Sequence, residues 1–255
     1  VSAPIAPVVP VVPVVPVVPV VHAVTTDEIV ATPDFPAAAA AVMRALGPRG
    51  AVHLRAPTLT GRRLLDLTAL LAPVQEETGA WLVVNDRLDV ALAGGARGVQ
   101  LTSRSMSSAD AALALRRAAP RAPIPSIGAS VHTPEEARVA AAEQPPAWLV
   151  AGHVFATPSH PGLPERGTSF VRAICDAVDL PVIAIGGVRA ADVPLLLADG
   201  AHGVAAIRGI WGASDAGVAA AEYLSVHDAV RDARSTDRGG SGAHGADSSG
   251  RRDRS

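Results

Sequence analysis

Residues 181–187, PVIAIGG, and residues 203–209, GVAAIRG, each run a short β-branched, apolar stretch into glycine. The same pattern recurs upstream: an apolar run with strand propensity, a turn, then a segment with helical spacing. Candidate strands are 20–24, 51–55, 81–84, 98–101, 126–131, 148–152, 182–186 and 204–207. Between them lie Ala- and Leu-rich segments at 61–78, 107–118, 134–143, 169–178 and 190–198, many opened by Thr, Ser, Asp or Pro, as helix starts require. Alternation of this kind belongs to βα units. An open doubly wound sheet also alternates. Eight units of near-equal length, with no Gly-x-Gly-x-x-Gly turn after the first, predict closure into a (β/α)8 TIM barrel instead.

The barrel is expected over residues 20–228 as one domain, flanked by two tails. Residues 1–19 repeat Pro-Val-Val, which removes one backbone donor in three and predicts a polyproline II segment outside the sheet. Residues 229–255 are rich in Gly, Ser, Asp and Arg and are expected to be disordered. The 255-residue chain is 49% hydrophobic with a formal charge of −2. So small a charge gives no global field for nucleic acid or an anionic membrane, so a bound phosphate must be met locally. No lysine occurs anywhere in the chain, which excludes a Schiff-base lysine and a lysine phosphate clamp. The lone Cys175 reads as a buried thiol. The absence of a membrane-length apolar run and of a basic leader makes the cytoplasm the expected location.

In such barrels, ligands sit at the carboxyl ends of the strands, and phosphate at the loops after strands seven and eight. Gly186, Gly187, Arg208 and Gly209 fall at those two junctions, where backbone N–H groups and a short extra helix after Arg208 would cradle an anion. The same glycines would equally serve tight turns. His153 stands at the mouth of strand six, where its imidazole suits proton transfer near neutral pH, although a strand-end histidine is often a structural hydrogen bonder. The polar loop 158–167 after it is long enough to form a lid. His53 with Arg55, Asn85 with Asp86, and Ser130 with His132 point at the same face. Arg55 would pair with a substrate carboxylate or phosphate. Asn85 with Asp86, and Ser130 with His132, would alternatively cap the helices that follow them. The histidine spacing and the single thiol show no dedicated metal site.

Taken in order, VNDRLDVALA (84–93), GVQL (98–101), GASVHTPEEA (128–137), GHVFATPSHPGLPERG (152–167), PVIAIGG and GVAAIRGI resemble the thiamine phosphate synthase/TenI family over residues 22–223. The resemblance implies a phosphate-binding barrel with one of two activities, and a homodimer. A synthase would couple a pyrimidine pyrophosphate to a thiazole phosphate, using Mg²⁺ on acidic residues and cations around the leaving group. Here Asp86 matches the first metal aspartate. His53-Leu54-Arg55-Ala56-Pro57 departs from Gln-x-Arg-x-Lys, and Thr102-Ser103-Arg104-Ser105 departs from the acidic turn after strand four. A TenI-type thiazole tautomerase needs no metal or cofactor, and the Gly-His-Val-Phe match and Gly162–Gly167 favour it locally.

The expectation drawn from this balance is a cofactor-independent tautomerase acting on a carboxythiazole phosphate. His153 would be the acid/base; Gly186, Gly187, Arg208 and Gly209 would hold the phosphate; Arg55, Asn85, Ser130 and His132 would line the thiazole. The alternative is an Mg²⁺-dependent thiamine phosphate synthase using Asp86. A third reading, a non-catalytic phosphate-ligand sensor, rests on the Pro-Val-Val tract as a docking segment.

Overall fold

The computed structural model describes residues 17–142, 144–157 and 162–240. The Pro-Val-Val repeat up to residue 16, the lid residues 158–161 and the tail from residue 241 lie outside the described residues. Eight parallel strands, β1 (Val21–Val24), β2 (Gly50–Leu54), β3 (Trp81–Asn85), β4 (Gly98–Leu101), β5 (Ser126–Val131), β6 (Trp148–Gly152), β7 (Val182–Ile185) and β8 (Gly203–Ala206), close into a barrel in sequence order. The closing pair aligns Val21 with Val204 and His22 with Ala205. Observed strand ends lie within one residue of the expected ones, and the fold is the expected (β/α)8 barrel.

Among the described residues ten α-helices surround it: α1 (Asp27–Val30), α2 (Phe35–Leu46), α3 (Gly61–Thr78), α4 (Leu88–Gly94), α5 (Ser108–Ala118), α6 (Pro134–Ala142), α7 (Gly167–Cys175), α8 (Val193–Ala198), α9 (Arg208–Trp211) and α10 (Ala216–Gly240). Local chemistry sets their ends. Thr60 and Ser107 cap α3 and α5 by accepting from the Arg63 and Asp110 amides, and Gly79 ends α3 in the left-handed conformation. Along α3, Leu64, Leu67, Thr68 and Leu71 recur at helical spacing and are buried against the strands. No helix among the described residues is long and apolar enough to cross a membrane.

Strand side chains alternate between two cores. One set packs outward under the helices. The other fills the barrel and includes Ala51, Trp81, Val83, Trp148, Val150, Ile183 and Ala205. Trp148 is fully buried, and its indole needs the space left by two missing side chains. A Cβ at Gly128 would lie 2.1 Å from Trp148 Cε2, and one at Gly98 would lie 3.2 Å from Cη2. The indole N–H donates to Gln100 Oε1 at 2.8 Å, so the buried polar end is satisfied.

Two boundaries differ from the expected ones. Val18, placed in the tail by sequence, is buried in the inner core, and its carbonyl accepts from His202 Nε2 at 3.0 Å; the bottom of the barrel requires an apolar plug, and the end of the repeat supplies it. At the other end α10 continues to Gly240. Residues 231–236 are exposed, so this stretch propagates from a helix already packed on α2 and needs no apolar face of its own.

Candidate active site

One cavity of about 640 Å³ opens at the carboxyl ends of the strands. Its lining includes His153, Arg55, Asn85, Ser130, His132, Gly186, Gly187, Arg208 and Gly209, so the barrel brings all nine sequence-selected residues to one place. It also includes His53, which the sequence placed at this face without a role, and Gln100, Arg104 and Arg189, which the candidate set lacks. The missed signal is alternation: Gln100 occupies the inward register of β4, as His53 does on β2.

The turn after β7 is built for close approach. Gly186 and Gly187 have φ of 104° and 68°, in the region that disfavours side chains. A Cβ at Gly186 would lie 2.6 Å from His153 Cβ, and one at Gly187 would lie 2.6 Å from the Ala156 carbonyl oxygen. The turn lies against the segment after β6 and is held by Val154 N–H to Ile185 O and Phe155 N–H to Gly186 O, both 2.9 Å. Across the β8 junction, Arg208 and Gly209 open α9, the short extra helix that was expected. A Cβ at Gly209 would lie 2.1 Å from Tyr223 Oη. That phenol donates to the Val188 carbonyl at 2.9 Å, and burial pushes its pKa up to about 12.

His153 is 8% exposed. Its Nε2 lies 3.0 Å from the Pro164 carbonyl, and the Arg166 and Gly167 amides both bond the Val154 carbonyl. The imidazole therefore anchors the far end of the loop as well as lining the cavity. Arg166 itself stacks on Phe170, 3.4 Å from the ring centroid, and does not line the cavity. His132 Nδ1 lies 3.0 Å from the Gly152 carbonyl, and the cap of α6 is Thr133, not Ser130 or His132. Cys175 is half-buried, and desolvation raises its thiol pKa to about 11, as suits an inert thiol.

Asp86 does not cap α4, whose N-cap is Arg87. With φ of 60°, it turns its carboxylate to the loop after β4, where Oδ1 accepts from the Thr102 amide at 2.9 Å and from the Ser105 hydroxyl. No group of three His, Cys, Asp or Glu among the described residues could hold a metal. Mg²⁺ requires oxygen ligands in a near-octahedral set. One carboxylate already bonded to two donors does not fit the set of acids that the synthase resemblance implies. Positive charge is better supplied: the guanidinium-bearing residues Arg55, Arg104, Arg189 and Arg208 all line the cavity, with Arg189 also paired to Asp192 at 3.0 Å.

Comparison with known proteins places this geometry. The thiamine monophosphate synthase family profile matches residues 21–210. The chain is 37% identical over 197 residues to a thiamine-phosphate synthase of Methanoculleus marisnigri, covering 77% of this chain and 89% of that one. It is likewise 37% identical over 173 residues to the thiamine-phosphate synthase of Gloeobacter violaceus, there covering 68% of this chain but only 49% of the relative. Thiamine phosphate pyrophosphorylase from Pyrococcus furiosus superposes with a TM-score of 0.68 at 30% identity, covering 82% of this chain and 96% of that one. These relatives carry the synthase name and overturn the tautomerase expected from the local Gly-His-Val-Phe match. That match is short, and the imidazole on which it rested is engaged by the Pro164 carbonyl. The chain belongs to the thiamine monophosphate synthase family.

Proposed function

We propose that this protein is a transferase of thiamine biosynthesis that couples a pyrimidine diphosphate to a thiazole phosphate. The observation that carries this reading is the distribution of charge around one cavity. Gly186 and Gly187 lie after β7 and Arg208 and Gly209 after β8, whereas Arg104 lies just after β4, across the barrel, and Arg55 after β2, on the wall between them. Such a site has room for a heterocycle between two anionic groups, in a volume typical of small-molecule sites.

In the reaction, the thiazole forms its bond to the pyrimidine-bearing carbon as that carbon's bond to the diphosphate oxygen breaks. The protein must hold both reactants in line and neutralise the departing charge. Arg55 and Arg104 are assigned to the diphosphate, because a guanidinium offers parallel donors to phosphate oxygens. Arg208 and the glycine backbone are assigned to the thiazole phosphate. Asn85 and Ser130 line the ring space between them, and His153 holds Pro164 beside the site. The test is incubation with both half-substrates, following thiamine phosphate and diphosphate together. Their formation in equal amounts is expected; no coupling of the two substrates would overturn the proposal.

A further inference from the structure

At the floor of the cavity and beneath it lies a chain of two buried histidines that the transfer step above leaves unused. His22 on β1 and His53 on β2 are buried to 0% and 1% exposure. His22 Nε2 lies 2.9 Å from the Pro19 carbonyl, and His22 Nδ1 lies 2.8 Å from His53 Nε2. His53 and Asn85 line the cavity, whereas His22 lies below it. His53 Nδ1 and Asn85 Oδ1 are both buried without a hydrogen-bond partner, although the Asn85 amide adjoins the ring closely enough to favour its charged form.

The sense of this chain follows from its lower end. A carbonyl only accepts, so the His22 proton is on Nε2. Burial pushes the His22 pKa down to about 4, and burial with the neighbouring His22 holds His53 well below its ordinary value, so both rings are neutral. His22 Nδ1 is then bare and accepts from His53 Nε2–H, which leaves His53 bare at Nδ1. Two acceptors, His53 Nδ1 and Asn85 Oδ1, cannot bond each other. Turning the Asn85 amide over changes neither its shape nor its volume, and amide orientation is properly assigned from the surrounding network. Nδ2–H then bonds His53 Nδ1, and Oδ1 takes the cavity side.

A second chain runs the other way. The Trp148 indole N–H only donates, and Gln100 Oε1 receives it. Gln100 Nε2 donates to Ser130 Oγ at 3.1 Å, which leaves the Ser130 hydrogen for the cavity. We propose that His22 is a positioning residue which, through His53, turns the Asn85 amide so that the floor offers a carbonyl oxygen to an N–H group of a heterocyclic substrate, across from a donating Ser130 hydroxyl. The inference rests on the transferase reading for its choice of heterocycle, while the sense of the histidine chain does not depend on it.

The test uses the full chain labelled with ¹⁵N-histidine, in which long-range proton–nitrogen spectra report each tautomer. Wild type is expected to carry the His53 proton on Nε2. Asn85→Asp, whose carboxylate can only accept, should add a proton at Nδ1 while Nε2–H stays bonded to His22, giving a doubly protonated ring, whereas His22→Phe, which removes the acceptor below, should move the single proton to Nδ1. Two probes read the cavity side: 4-amino-2-methylpyrimidine and 2,4-dimethylpyrimidine, which differ by one amino group. Wild type should prefer the amino compound by about tenfold, which corresponds to 1.4 kcal/mol, and His22→Phe should lose the preference. A proton on His53 Nδ1 in wild type would overturn the proposal, as would equal affinity for the two probes or no binding of either. If His22→Phe does not fold, the wild-type tautomer, Asn85→Asp and the wild-type probe preference still decide. Thiamine phosphate formation with His53 protonated on Nδ1 sinks this inference alone; the expected tautomer and preference without coupling sink the transferase reading alone.

Discussion

Lowering the pH from 7 to 4.5 should cost the barrel on the order of 2 kcal/mol through His22 alone. The ordinary histidine pKa is about 6.5, and burial pushes the folded value of His22 down to about 4. Between these values the unfolded chain binds a proton that the folded chain refuses. The stabilising difference is therefore fully present above pH 6.5 and is lost as the pH falls toward 4. His53 is shifted in the same direction by burial and by His22, so its contribution has the same sign. The slope of stability against pH should approach about 1.4 kcal/mol per unit for each such histidine within this window. Carboxylates such as Asp89 and Asp192, whose pKa values are lowered by Arg87 and Arg189 respectively, add a further loss below their own unfolded range. Urea unfolding across pH 4.5–7.5, in wild type and in His22→Asn, separates the two. The variant should be less stable at pH 7, but its slope between pH 6.5 and 4.5 should be shallower by about one proton. Parallel slopes in the two proteins would show that His22 titrates normally and would refute the argument from burial.

The inner core makes a separate prediction. Gly128→Ala places a Cβ 2.1 Å from Trp148 Cε2; overpacking with displacement of the bonded indole should cost about 3 kcal/mol. Calorimetry should show this as a Tm lower by roughly 6–12 °C. At the cradle, Arg208→Ala should raise KM for the thiazole phosphate by about 10- to 100-fold, the worth of one charge-assisted bond. Arg104→Ala should instead affect the pyrimidine diphosphate, and steady-state kinetics with each substrate varied in turn tell the two apart. Gly209→Ala drives a methyl into Tyr223 Oη and should weaken phosphate binding, which titration calorimetry with the thiazole phosphate measures directly.

The barrel was legible because eight strands and their helices repeat a pattern that chain connectivity alone converts into closure, and strand boundaries moved by only a residue. The cavity residues were legible where a polar side chain or paired glycines stood at a strand end, as at Asn85, Ser130 and Gly186-Gly187. His22 was not, since it lies mid-strand in an otherwise apolar run, VHAV, and only the position of His53 across the β1–β2 pair gives it meaning. The extent of α10 was illegible for another reason: residues 231–236 bury nothing, so no periodic apolar signal marks a helix that persists by propagation. His153 illustrates the opposite error. Its place at the end of β6 was foreseen, but its bond to Pro164, eleven residues on, depends on how the loop folds back.

The loop after β4 shows how charge has been redistributed in this site. A carboxylate at residue 105 would stand beside Asp86, and two such acids would repel each other without a cation between them. Serine at that position donates to Asp86 instead, and the neighbouring Thr102 amide adds a second bond to the same oxygen. The carboxylate is thus met by two neutral donors within the turn, while one residue earlier Arg104 brings positive charge to the cavity. With no lysine in the chain, guanidinium is the only permanent side-chain cation available to a departing diphosphate. Arginine keeps its charge under desolvation and presents a planar fork, so Arg55 and Arg104 can meet that group in a site whose acids are already committed. Restoring the acid with Ser105→Asp should therefore weaken diphosphate binding in metal-free buffer, by removing a donor from Asp86 and placing a negative charge beside Arg104. Tighter binding under those conditions would show that arginine is not what receives the diphosphate.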